Sequence, residues 1–165
     1  MKNELRKLII VLFLFALTPS TGFSQKIKHV ILIGSDGFGA YAFENAKVPN
    51  LRAMMKEGSW SLQARTVLPS SSAANWASMV MGAGPELHGY TTWGSKKPDM
   101  PARVLDEYGM FPSVYALLRK EKPDSEIGVI YEWDGIGYLF PKAAVNHDQN
   151  ANGDIAIANA ASKYI

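Results

Sequence analysis

Runs of apolar residues in this chain alternate between strand-like and helix-like spacing. Lys28 to Gly34 reads KHVILIG, an aliphatic and β-branched run ending at a Gly–Ser–Asp–Gly turn. Such an uninterrupted run suits a strand buried on both faces, as in a parallel sheet. Val48 to Lys56 carries apolar residues at positions 48, 51, 54 and 55, with Pro49 in the first turn and Gly58 just past the end, and predicts a helix. Ser61 to Leu68 alternates in part and stops at Pro69, which predicts a second strand entering a loop. From Ala73 to Met81 the residues are small and apolar, so a short buried helix is expected between the turn Ser70–Ser71–Ser72 and the glycines Gly82 and Gly84. Phe111 to Lys120 has helical spacing, and Ile127 to Trp133 returns to strand-like composition. Asp154 to Ile165 predicts a last helix capped by Asp154, inside which the sequence stops, as in a fragment or truncated product. Strands alternating with helices predict an α/β fold with a largely parallel sheet.

The first residues have a different pattern. Lys2, Arg6 and Lys7 precede the apolar run Leu8 to Leu17, and Ser20, Gly22 and Ser24 follow it. This layout is that of a secretory signal peptide over residues 1–24, with cleavage near Ser24–Gln25 and export to the periplasm or medium. The run falls short of the roughly 20 residues a spanning helix needs, so no permanent membrane anchor is expected. Residues 25–165 are then expected to form the N-terminal part of the working domain.

Composition narrows the chemistry. In 165 residues there is no cysteine, which removes disulfides, thiolate metal sites and a cysteine nucleophile. The formal charge of +2 includes three basic residues and one acid of the leader, and the remainder is near neutral. Such a balance does not point to a nucleic acid polymer as partner.

Two constellations are candidates for function. Asp36 lies in Gly34–Ser35–Asp36–Gly37–Phe38–Gly39, at the carboxyl end of the first predicted strand. Ligands of parallel sheets bind there, and a hard carboxylate oxygen suits a divalent cation. Asp–Gly is also a common turn pair, so turn and ligand both remain open. The glycines read G-x-x-G-x-G, which is not the dinucleotide fingerprint. The second constellation is Pro69–Ser70–Ser71–Ser72–Ala73–Ala74–Asn75–Trp76. A serine at a helix start lies in positive potential among free N–H groups and can serve as a nucleophile toward an anionic ester. It can equally be an N-cap, with the other serines in the loop. No G-x-S-x-G elbow is present.

Taken together, HVILIGSDGF, VPNLRAMMKEG and PSSSAANWASMVMGAGPELHGY resemble the opening of the type I phosphodiesterase/nucleotide pyrophosphatase branch of the alkaline-phosphatase superfamily, from about His29 to Tyr90. The resemblance implies an alkaline-phosphatase-like three-layer sandwich, incomplete in this chain. It implies two divalent metal ions, with zinc the expected identity, and a covalent phosphoserine intermediate. Asp36 matches the family's first metal ligand. Ser72, three residues before Asn75, matches the nucleophile that is also a metal ligand, although Ser70 and Ser71 compete for that register. Asn75 matches the partner that holds a substrate oxygen. The implied substrate is a small phosphoester, whether monoester, diester, nucleotide pyrophosphate or phosphonate.

Gly82, Pro85, His88 and Gly89 match a G-x-x-P-x-x-H-G stretch of the family, in which the histidine is expected to pack a helix end. The later Asp and His ligands, including an Asp–His–Gly stretch, have no counterpart. A non-catalytic remnant or binding module of the same fold is therefore the competing reading. A sulfatase is disfavoured because the serines lack a C/S-x-P-x-R context, and a plain exported α/β domain is the third alternative. His147–Asp148 reads as a solvated turn. Glu132 and Asp134 read as turn or capping residues before they read as cleft lining. Tyr131, Trp133 and Tyr138 read as core or rim before they read as a stacking surface.

Overall fold

The computed structural model describes residues 27–165, so the signal-peptide reading of residues 1–24 lies outside the described residues. The chain divides into two units, Met1–Ser35 and Asp36–Ile165. Among the described residues no helix is long and apolar enough to cross a membrane.

In the first unit the expected strand over Lys28 to Gly34 is not formed. Residues 27–35 carry no regular structure, and Val30 and Ile33 are 88% and 82% exposed. A strand that is apolar on both faces gains its stability from neighbours at both edges and layers over both faces, and its own composition cannot replace them.

The second unit contains α1 (Ala40–Asn45), α2 (Pro49–Glu57), α3 (Ser72–Met81), α4 (Pro85–His88), α5 (Val114–Glu121), β1 (Gly128–Tyr131), β2 (His147–Asn150) and α6 (Asp154–Tyr164), with 3-10 turns at Asp134–Tyr138 and Lys142–Ala144. Helices α2, α3, α5 and α6 and strand β1 lie where the spacing of apolar residues places them. Ser61 to Leu68 is irregular and mostly exposed, not a strand. Its alternation is only partial, and a partial pattern gives no buried face to fix a register. At α6 the cap position is Gly153, and Asp154 is the first helical residue, where its charge still favours the helix dipole.

Strand β2 corrects the turn expected at His147–Asp148. It pairs in parallel with β1 in the register Gly128↔His147, Val129↔Asp148, Ile130↔Gln149 and Tyr131↔Asn150. A parallel pair needs a crossover of a dozen or more residues, and the two 3-10 turns supply it. Two polar side chains of β2 have tertiary partners. His147 stacks on Tyr164 with ring centres 4.7 Å apart, and Asp148 forms a 2.6 Å ion pair with Lys142. The described residues are thus a mixed α/β arrangement with a parallel pair, consistent with an incomplete alkaline-phosphatase-like sandwich.

The core gathers Ala77, Val80 and Met81 of α3 with Tyr90, Val129, Ile136, Leu139 and Phe140. Ala73, Ala74 and Ala77 are fully buried, because side chains this small let α3 sit deep in the unit. The N-terminal turn of that helix carries the candidate site.

Candidate active site

The serine turn leads directly into α3. Ser71 occupies the cap position in extended conformation, but its hydroxyl does not cap the helix. It donates instead to the Thr91 carbonyl at 3.2 Å. The first N–H groups of α3 therefore have no side-chain cap, and their partial positive charge falls around Ser72, the first helical residue. The Ser72 hydroxyl donates to Asp36 Oδ2 at 3.0 Å. Asp36 is exposed and lies in a turn, so it is a turn residue whose carboxylate also meets the serine. Of the two serines whose hydroxyls are bonded, Ser71 is committed to a carbonyl and Ser72 to a carboxylate.

Asn75 ties the approach loop to the helix. Its amide nitrogen donates to the Ser71 carbonyl at 2.9 Å and the Pro69 carbonyl at 3.5 Å, and its amide oxygen accepts from the Val67 N–H at 2.9 Å. The sequence motif thus brings Asn75 beside the serines, with its amide bonded to its own loop. Trp76 is the neighbour that the sequence reading left without a role. Its indole N–H donates to the same Asp36 Oδ2 at 3.3 Å. Ser72 and Trp76 are four residues apart and so share one helix face, the only signal in the sequence that could have joined them.

The donor chemistry of this pair fits part of a cation shell. The Asp36 carboxylate and the Ser72 oxygen are hard donors within 3.0 Å of each other, as a divalent ion requires of neighbouring ligands. Among the described residues no group of three or more His, Cys, Asp or Glu side chains comes together to hold a metal ion. Asp36 and Ser72 would therefore supply two positions and leave the others open.

A second serine on α3 has a histidine partner, and its geometry is inert. Ser78 Oγ lies 2.9 Å from His88 Nε2, and the Tyr90 N–H donates to His88 Nδ1 at 3.1 Å. Accepting at Nδ1 leaves the proton of the neutral ring on Nε2, which then donates to Ser78. The Ser78 hydroxyl in turn donates to the Ala74 carbonyl at 2.8 Å. A general base needs a free ring nitrogen facing the hydroxyl, and here it is protonated. His88 is fully buried, and burial lowers its pKa below the usual histidine value. The packing role expected for this residue is what the structure shows. Gly89 beside it has φ +83°, and a Cβ there would collide with the Met100 carbonyl oxygen, so the His–Gly pair answers to backbone and packing demands.

The loop after α4 supports the serine turn from behind. Asp99 Oδ2 accepts from the Ser95 hydroxyl at 2.7 Å, from the Thr91 and Thr92 N–H groups at 2.8 and 3.0 Å, and from the Thr91 hydroxyl at 3.0 Å. The Ser95 bond, followed by those from Thr91 and Thr92, holds this carboxyl well below the usual carboxylate range, against the opposing effect of burial. Thr91 is the residue whose carbonyl receives Ser71, so Asp99 fixes one wall of the turn. No motif in the sequence announces it.

The later candidates are brought to other places. Glu132 accepts from the Gly153 N–H at 3.1 Å, and Asp134 opens a 3-10 turn, as their turn reading expects. Trp133 stacks on Trp93 at 6.1 Å, Tyr131 and Trp133 pack against the core, and Tyr138 lies at the surface under the Lys96 ammonium.

With this geometry in place, comparison with known proteins identifies the segment that contains it. Residues 30–106 match the family type I phosphodiesterase / nucleotide pyrophosphatase. The match covers just under half of the chain and takes in Asp36, Ser72, Asn75, Trp76, His88 and Asp99. No curated protein and no solved structure matches the chain. The resemblance read over His29 to Tyr90 is thus to the family that the comparison finds, a family of phosphoester hydrolases, and the match is consistent with its N-terminal portion.

Proposed function

We propose that this chain is a metal-dependent phosphoester hydrolase that works through a covalent phosphoserine at Ser72. The observation that carries the reading is the 3.0 Å hydrogen bond from Ser72 to Asp36 at an uncapped helix start inside the family-matched segment. Asp36 and Ser72 would hold a divalent cation, zinc in the first instance. When bound, such an ion supplies charge neutralisation and a lowered hydroxyl pKa. The Ser72 oxygen, its proton passed to solvent, attacks phosphorus in line; the leaving oxygen departs with the bonding electron pair and takes a proton from solvent, and water then cleaves the Ser72–phosphoryl bond and returns a proton to the Ser72 oxygen. The uncapped start of α3 puts positive potential at Ser72, where negative charge builds during attack. Asn75 holds the loop in register and would bind the ester by exchanging a loop carbonyl for a substrate oxygen. The substrate is a small phosphoester, with nucleotides among the candidates, and the setting is extracytoplasmic, as the leader pattern suggests.

Hydrolysis of p-nitrophenyl phosphate and bis-p-nitrophenyl phosphate with added zinc tests this reading. Turnover that the chelator removes and Ser72→Ala abolishes supports it. A second reading, a binding module or remnant of the same fold, rests on the lack of a three-ligand group among the described residues. It predicts zinc or phosphate binding without turnover.

A further inference from the structure

We propose that Trp76 is a positioning residue that pins Asp36 so that the second carboxylate oxygen, Oδ1, is presented to the cation. The proposal rests on the reading that Asp36 and Ser72 hold that cation. Two donors from one face of α3, Ser72 Oγ at 3.0 Å and Trp76 Nε1 at 3.3 Å, converge on the same oxygen, Oδ2. Among the described residues no hydrogen bond reaches Oδ1. The two donors are not equivalent. Trp76 packs against the buried core cluster, whereas Asp36 sits on an exposed turn, so the indole is the fixed partner and the carboxylate the guided one.

Their chemistry differs as well. A serine hydroxyl donates and accepts, and it gives up its proton when its oxygen attacks phosphorus. An indole N–H only donates. When Ser72 releases Asp36 during attack, Trp76 retains its hold, and the carboxylate keeps its orientation. This is the function that a hydrogen-bond partner behind a metal ligand serves in general, and removing such a partner typically lowers metal affinity about 10- to 100-fold.

The test uses the full chain with zinc as the probe. Trp60, Trp93 and Trp133 are replaced by Phe so that Trp76 alone emits, and its fluorescence is followed through a zinc titration beside calorimetry. The expected result is an emission change with the calorimetric midpoint, lost in Asp36→Asn. In the otherwise wild-type chain, Trp76→Phe lowers zinc affinity about 10-fold or more. Trp76→His, which keeps a ring N–H, restores part of that loss. Thermal melting confirms that each variant is folded, and the Trp76→Phe calorimetry stands alone should the triple variant not fold. Wild-type zinc binding with unchanged affinity in folded Trp76→Phe would overturn the proposal and leave the metal reading standing. Absence of zinc binding in the wild type would overturn both.

Discussion

The two ends of α3 each place a serine against an ionisable side chain, Ser72 with Asp36 and Ser78 with His88. By residue type the second pair looks the more reactive, since serine and histidine form the familiar nucleophile and base. The geometry reverses that ranking. At Ser78 the proton sits on the histidine nitrogen that faces the serine, the hydroxyl is spent on the Ala74 carbonyl, and the ring is fully buried. At Ser72 the hydroxyl points its proton at a carboxylate on an exposed turn, and no side chain caps the helix start beside it. Proton direction and access distinguish a site from a strut.

Substitutions at the two ends should therefore fail in different ways. Ser72→Ala should remove at least ~10³-fold of the hydrolytic rate, with thermal melting nearly unchanged, as expected for a nucleophile that carries no core contact. Retained turnover would break the contrast from the reactive side. His88→Ala should lose about 2–4 kcal/mol of stability in urea unfolding, because it opens a buried cavity and strips the Tyr90 N–H of its acceptor. A chain that keeps its wild-type midpoint would show that His88 is not a strut. Ser78→Ala should cost less, about 1–3 kcal/mol, by leaving the buried His88 Nε2–H without a partner, while activity measured well below the melting temperature persists.

The smallest effect is the pH dependence of that strut. Burial lowers the pKa of His88 in the folded chain below its unfolded value, near 6.5. Well above pH 6.5 neither state binds the proton, and the full stability is present. As pH falls below 6.5 the unfolded chain takes up a proton that the folded chain refuses, so stability declines until the folded pKa is passed and then levels off. His88→Gln should flatten this limb of the unfolding midpoint between pH 7 and pH 5. A limb of equal slope in that variant would assign the effect elsewhere.

What the sequence disclosed follows the same division between local and distant causes. Helices α2, α3, α5 and α6 were legible because spacing, proline at the first turn and glycine past the end are local signals. Strand β2 was not, since HDQN has no apolar face. Its pairing with β1 depends on Tyr164 and Lys142, which meet His147 and Asp148 only in the folded unit. The apolar run at Lys28 to Gly34 failed in the opposite sense, having strand composition without the layers that would bury it. In the candidate site the motif singles out Asp36, Ser72 and Asn75, and the structure brings Ser72 to Asp36 and Asn75 beside the serines. Trp76 and Asp99 were not legible, because their contacts reach an aspartate 40 residues away and a turn shaped by four converging donors.

Whether Ser72 accepts the phosphoryl group in the covalent step can be read from the trapped protein itself. The zinc-loaded chain is mixed with p-nitrophenyl phosphate, quenched in acid and digested, and its peptides are sequenced by mass spectrometry. A phosphoryl group on Ser72 that disappears in Ser72→Ala is the expected result. A phosphoryl group on Ser70 or Ser71, or turnover with no serine labelled at all, would contradict it.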